Sequence, residues 1–296
     1  MKFDNQQVDA SGVDDLRGRR GRGGLVLGGG AGIVAFVVVV VVNVLSGGGG
    51  LPPGAFDLSQ LDAGVLGDQP GTVPASDLAD RCATEGAITA YDDCFLVKVY
   101  NEADEVWSTE LADQGYRPPR LAFFDDVVAT GCGRASAQVG PFYCPADERI
   151  YFDLAFLAQL QRQFGAEGRY AQAYILAHEY GHHLQTVWGI EPQVRRLQKQ
   201  NPGQANQLSV ALELQADCLA GVWGRLAADG GNLTVTDAEL QQAQDAAEAV
   251  GDDRIQQQAQ GRVDPEGWTH GSAEQRRTWY LTGYESGDPS ACDTFS

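Results

Sequence analysis

The chain has 296 residues, enough for one well-sized folded domain with additional segments, and it carries 21 basic against 40 acidic side chains, a net charge of −19. That balance speaks against a nucleic-acid partner, because binding a phosphate backbone takes concentrated positive charge.

Residues 1–22 are polar and charged with almost no large apolar side chains, and are expected to form a disordered tail. From Leu25 to Leu45 no residue is charged. At about 1.5 Å per helical residue this run reaches across a hydrocarbon core of about 30 Å, so a transmembrane helix is expected over residues 23–45. Its valines and glycines would weaken a helix in water, but in lipid the backbone must satisfy its own hydrogen bonds. Arg17, Arg19, Arg20 and Arg22 precede the run and no such cluster follows it. The positive-inside bias therefore puts the N-terminus in the cytoplasm and everything beyond Leu45 outside. The run is longer than the h-region of a cleaved signal peptide and no Ala-x-Ala site closes it, which favours an anchor. Residues 46–75, rich in Gly, Pro and Asp, read as a linker, and the folded domain is expected over residues 76–296.

Within that domain, RLAFF (Arg120–Phe124) and RIYFDL (Arg149–Leu154) have the aromatic and branched character of short strands. Apolar residues recur every three or four positions over residues 154–165, 168–188, 205–227 and 237–260, which predicts helices there. Strands followed by longer helices make an α+β domain with a mostly helical second half. Cys82, Cys94, Cys132, Cys144, Cys218 and Cys292 all fall beyond the apolar run, on the side where disulfides persist. None sits in a CxxC pair, which speaks against a zinc ribbon. Six cysteines allow fifteen pairings and the sequence does not choose among them. The expected set joins Cys82 to Cys94 and Cys132 to Cys144, which close short loops, and leaves Cys218 with Cys292.

The segment HEYGHH, His178–His183, carries the chemistry. Residues four apart share one face of a helix, so His178 and His182 can offer two imidazole nitrogens to a single ion. Glu179 lies beside that pair, where its carboxylate can take a proton from a water activated at the metal and later pass it to a leaving amine. With four histidines in the chain, this pattern would arise by chance roughly once in several hundred such sequences. His183 is about 100° round the helix from His182 and is expected to be a bystander. A tetrahedral zinc needs a third protein ligand and keeps one place for water. ALELQADCLAG supplies Glu213 for that purpose and, four residues on, Asp217, which could accept a hydrogen bond from the outer nitrogen of a ligand histidine.

HEYGHH with ELQADC resembles the gluzincin arrangement and, more closely, the bacterial neutral zinc metallopeptidase family of membrane-anchored peptidases. The likeness runs from about Arg120 to the end, through GCG, GPFYCPAD, IYFDL, AHEYGHH, GIEP, ELQADCLAGVWG, GDDRIQQQ, GRVDPEGWTHGS and GDPSAC. It implies a zincin-like fold, with a small sheet over the HExxH helix and an edge strand that receives extended substrate. By that analogy Arg149–Asp153 is the candidate edge strand. It also implies an oxyanion-stabilising role for His270, in THGSAEQRR, and a substrate or oxyanion role for Arg276, although Gly271 stands where related stretches have proline.

The expected function is thus a zinc-dependent peptidase at the bacterial cytoplasmic membrane. It would carry one Zn2+ per chain, act on protein or peptide substrates, and have its catalytic domain outside. Two other readings stand beside it: a membrane-tethered zinc-containing scaffold without activity, and a zinc amidase acting on cell-wall peptides.

Overall fold

The computed structural model describes residues 1–18, 77–157 and 168–296. The expected membrane helix over 23–45 and the linker over 46–75 lie outside the described residues, as does most of the helix expected over 154–165. Among the described residues no helix is long and apolar enough to cross a membrane.

Strands β1 (Lys2–Phe3) and β2 (Val13–Asp15) come first, followed by helices α1 (Asp77–Cys82), α2 (Ala87–Ala90) and α3 (Asp92–Glu110). Then come β3 (Arg120–Phe123), β4 (Val127–Thr130), β5 (Gly133–Ser136), β6 (Phe142–Cys144) and β7 (Arg149–Phe152). The second half holds α4 (Arg169–Val187), α5 (Ile190–Gln200), α6 (Ala205–Asp229), β8 (Leu233–Thr234), α7 (Asp237–Ala249), α8 (Asp252–Gln260) and α9 (Ala273–Ser286). A small sheet beside a mostly helical second half makes the domain α+β.

The first eighteen residues depart from the disordered tail expected of them. β1 pairs antiparallel with β8, and β2 pairs in parallel with β3, Val13 opposite Leu121 and Asp15 opposite Phe123. Phe3 is buried, its ring 6.0 Å from that of Phe95. A polar composition did not prevent this, because an outer strand takes its backbone hydrogen bonds from its neighbour and needs only a few apolar anchors.

The main sheet has the order β2-β3-β7-β6, with β2, β3 and β7 parallel and β6 antiparallel to β7. The segment expected at the edge, Arg149–Asp153, therefore corresponds to β7, an interior strand. Ile150, Tyr151 and Phe152 are buried in succession, as in a strand covered on both faces. The outermost strand on that side among the described residues is β6.

Behind the sheet α4 packs on α6, and α6 on α9. Glycines set these crossings. A Cβ on Gly181 would lie 3.1 Å from the Ala216 backbone of α6, and one on Gly283 of α9 would lie 1.9 Å from the Cys218 carbonyl. Only hydrogen at these positions lets the backbones approach so closely. The helix expected over 237–260 is two helices, parted at Val250 and Gly251, and the break turns Asp252 toward the loop before α9. The nineteen-residue α3 escaped the periodicity argument because successive residues from Cys94 to Tyr100 are all buried, Lys98 among them through its ion pair with Glu102, so no polar face marks the helix. Disulfides join Cys82 to Cys94, Cys132 to Cys144 and Cys218 to Cys292.

Candidate metal centre

Helical spacing on α4 stacks His178 over His182, with ring centroids 4.8 Å apart. The close approach at Gly181 brings α6 alongside and sets Glu213 against both rings. His178 Nε2 lies 3.2 Å from one carboxylate oxygen of Glu213, and His182 Nε2 lies 3.5 Å from the other. One donor atom from each of these three buried residues falls within 4.8 Å of the other two. Cys82, Asp93 and Cys94 also converge, but their sulfurs are bonded to each other and offer no thiolate.

The outer nitrogens of both imidazoles are held by acceptors. His178 Nδ1 donates to Asp217 Oδ1 at 2.8 Å, and His182 Nδ1 donates to Gln185 Oε1 at 2.8 Å. With the ring proton on Nδ1, each Nε2 presents its lone pair to the centre. Asp217 is fully buried and also accepts from Tyr174 Oη at 2.5 Å and from Arg276 Nε and Nη2 at 2.8 and 2.9 Å. Gln185 passes its own amide protons to the Leu212 carbonyl and to Gln215, whose side chain donates to the Cys292 carbonyl. Each imidazole thus has a fully buried polar chain behind it.

Burial works against every charge here, and the partners decide the outcome. Burial would raise the Glu213 carboxyl, but His182 and His178 hold it well below its ordinary value. Burial would likewise raise Asp217, but Arg276 and His178 hold it down. For Glu179 burial prevails: its carboxyl is raised against the opposing pull of His182, His178 and a backbone hydrogen bond from Tyr143 on β6. On His178 the carboxylates of Asp217 and Glu213 outweigh burial and raise the imidazole. Surroundings that draw a proton to this nitrogen draw a cation equally well. Two imidazoles and one carboxylate, with no thiolate, form the donor set of a zinc site that leaves one position open. The residues present therefore fit a divalent metal.

Three residues singled out in the sequence sit otherwise than expected or in plainer roles. Arg276, expected at the substrate, is 1% exposed and held by Asp217, Tyr174 and the Val250 carbonyl, so it supports a candidate ligand from behind. His183 points away from the group, with Nε2 donating to the Arg117 carbonyl at 2.7 Å and Nδ1 3.1 Å from the Tyr143 hydroxyl. It ties β6 to α4. His270 is buried in the loop before α9, its Nδ1 3.2 Å from Asp252, and the backbone amides of Thr269, His270 and Gly271 all donate to the same carboxylate.

Sequence reasoning missed Gln185, Tyr174 and Asp252 as parts of this site. The first two stand at i+3 from His182 and i−4 from His178, so helical spacing could have found them. Asp252 carries no such local signal. Beside Glu179 lies a narrow apolar cleft lined by Pro141, Phe156, Ile175, Ala246 and Val250. A larger cavity of about 870 Å3, between residues 5–9 and the α1–α3 region, contains no imidazole.

A family model described as "Putative neutral zinc metallopeptidase" matches residues 1–295. The chain belongs to this family. The match begins with the segment that holds β1 and β2, so those strands fall within the family's pattern. Among curated relatives, "Uncharacterized protein YpfJ" of Escherichia coli is 43% identical over 242 residues, covering 79% of this chain and 83% of its own. "Uncharacterized protein Rv2575" of Mycobacterium tuberculosis is 44% identical over 247 residues, covering 79% of this chain and 82% of its own. No solved structure matches. At the level of the family description, this is a zinc metallopeptidase chain with a peptide as its class of substrate.

Proposed function

We propose that the protein is a zinc-dependent endopeptidase of zincin-like architecture in which His178, His182 and Glu213 hold the ion and Glu179 is the general base. The observation that carries this reading is the convergence of His178, His182 and Glu213, with the raised carboxyl of Glu179 on the same helix as the two histidines. Zinc held there supplies a Lewis acid that polarises the scissile carbonyl and lowers the pKa of the attacking water. Glu179 takes the proton of that water and delivers it to the departing amine, a task suited to a carboxyl whose pKa burial has raised. β6 offers its outer edge to an extended peptide, which would lie as an added strand beside Glu179. The cleft with Ile175 and Val250 accepts an apolar side chain of that peptide.

His270, oriented by Asp252, is the oxyanion-stabilising group in this scheme. Asp217, backed by Arg276 and Tyr174, keeps the His178 ring aligned, and Gln185 does the same for His182. We propose further that the enzyme works on the outer face of a bacterial cytoplasmic membrane, attached through Leu25–Leu45. Three disulfides support an oxidising compartment.

The test is Glu179→Gln. The variant should bind one zinc per chain with unchanged affinity and lose cleavage of a peptide library that the parent cuts. Undiminished cleavage would refute the mechanism, and full zinc loading of the parent with no cleavage of any peptide would refute the activity.

A further inference from the structure

The helix that carries His178 and His182 has a second face, turned to the sheet. Glu179 and His183, four residues apart on α4, share that face. Both reach the same residue of β6. The Tyr143 main-chain N–H donates to the Glu179 carboxylate, and the Tyr143 hydroxyl lies 3.1 Å from His183 Nδ1. Because His183 Nε2 donates to the Arg117 carbonyl at 2.7 Å, Nδ1 is the acceptor and the tyrosine hydroxyl the donor. Arg117 in turn donates from Nε to Glu148, in the turn between β6 and β7, at 2.7 Å. His183 is fully buried, and both its nitrogens are spent on β6 and the loop that supports it.

The direction of the bonds along β6 follows from its neighbours. The Arg120 N–H donates to the Glu148 carbonyl and the Phe124 N–H to the Phe152 carbonyl, so the main-chain groups of every second residue of β7, Ile150 among them, face β3. Ile150 stands opposite Tyr143 in the pairing with β6. Tyr143 therefore belongs to a pair that exchanges no hydrogen bonds, and its N–H and C=O both point to the outer edge. The residues two places to either side of it are Pro141 and Pro145, which have no N–H to give. With the Tyr143 N–H taken by Glu179, this stretch has no main-chain donor left for a guest strand, and the Tyr143 carbonyl is the acceptor at its centre. A peptide laid along β6 thus depends on the placement of one residue.

We propose that His183 is a positioning residue for the substrate: by holding the Tyr143 side chain it fixes the distance of β6 from α4 and presents the Tyr143 carbonyl to an N–H of the bound peptide. The inference rests on the peptidase reading and on β6 as the strand that receives the peptide. HEYGHH then works on two faces, with His178 and His182 toward the metal centre and Glu179 and His183 toward the substrate strand.

The experiment uses the zinc-loaded full chain and a peptide, taken from a library, that it cuts. His183→Phe keeps a ring in edge contact with Tyr143 and Tyr180 and removes both hydrogen bonds. Tyr143→Phe removes only the hydroxyl, which His183 and Thr186 both reach. Each should raise KM roughly 3–10-fold, as expected for the loss of about one net hydrogen bond, with kcat within about twofold of the parent and zinc affinity unchanged. The candidate ligands and Glu179 stand on α4 and α6, so they keep their places when β6 shifts. The double variant should be within about twofold of the worse single one, because both changes break the same link. An unchanged KM in a folded Tyr143→Phe chain overturns the inference and leaves the peptidase reading standing. A rise in KM matched by an equal loss of zinc affinity also overturns it, since His183 would then act through the metal centre. A parent that is fully loaded with zinc and cuts no peptide overturns both.

Discussion

Arg276 separates two accounts of this site by measurement. Its guanidinium makes two short bonds to Asp217 and longer ones, 3.4 Å each, to the Val250 carbonyl and the Tyr174 hydroxyl. Arg276→Met keeps much of the volume and removes the charge, leaving a fully buried carboxylate with only Tyr174 and His178 as partners. Breaking one side of a buried ion pair costs about 3–5 kcal/mol. The lower figure is expected here, because His178 stays behind to compensate Asp217. In a domain of more than 200 described residues, 3 kcal/mol lowers Tm by roughly 6–12 °C. The assay is thermal denaturation of the purified chain with a chelator present, so that zinc loss is not read as unfolding. Asp217→Leu and the double variant complete a cycle, and the two changes should couple by about 0.5–3 kcal/mol. A Tm within 2 °C of the parent, with additive effects and a loss confined to kcat, would refute the argument and return Arg276 to the substrate.

Gln185→Leu removes the acceptor on His182 Nδ1 and the donor to Leu212, so zinc affinity should fall roughly 10–100-fold in a chelator competition. Unchanged affinity would mean that the ring is oriented by packing alone. Phe3→Ala deletes the anchor of β1 against Phe95 and should destabilise the chain by about 3 kcal/mol in urea denaturation. A negligible effect would mean that the N-terminal strands are not held on the domain in solution.

The features legible in the sequence are those fixed by local geometry. His178, Glu179 and His182 follow from the pitch of one helix, and Glu213 with Asp217 from the pitch of another. Covalent neighbours on a helix keep their relative places whatever the helix packs against. The two short loops closed by Cys82–Cys94 and Cys132–Cys144 were legible for the same reason. Helical periodicity was readable at α4, α6 and over residues 237–260, and it missed α3, which is buried on most sides, as well as the shorter α5 and α9.

The tertiary structure decided what depends on a partner far along the chain. RIYF reads as a strand by composition, but whether it lies at the edge or in the interior is settled by β6 pairing beside it. Arg276 reads as a substrate residue by resemblance until α9 crosses α6 at Gly283 and delivers its guanidinium to Asp217. Residues 1–18 carry too little apolar surface to order themselves, and no property of that segment alone announces a strand. β3 supplies the hydrogen bonds, Asp93 and Asn101 supply the polar partners, and those residues stand roughly a hundred positions away. A helix carries its hydrogen bonds within itself, whereas an edge strand has half of them only when its neighbour arrives, and that difference divides what could be read in the chain from what had to be seen folded.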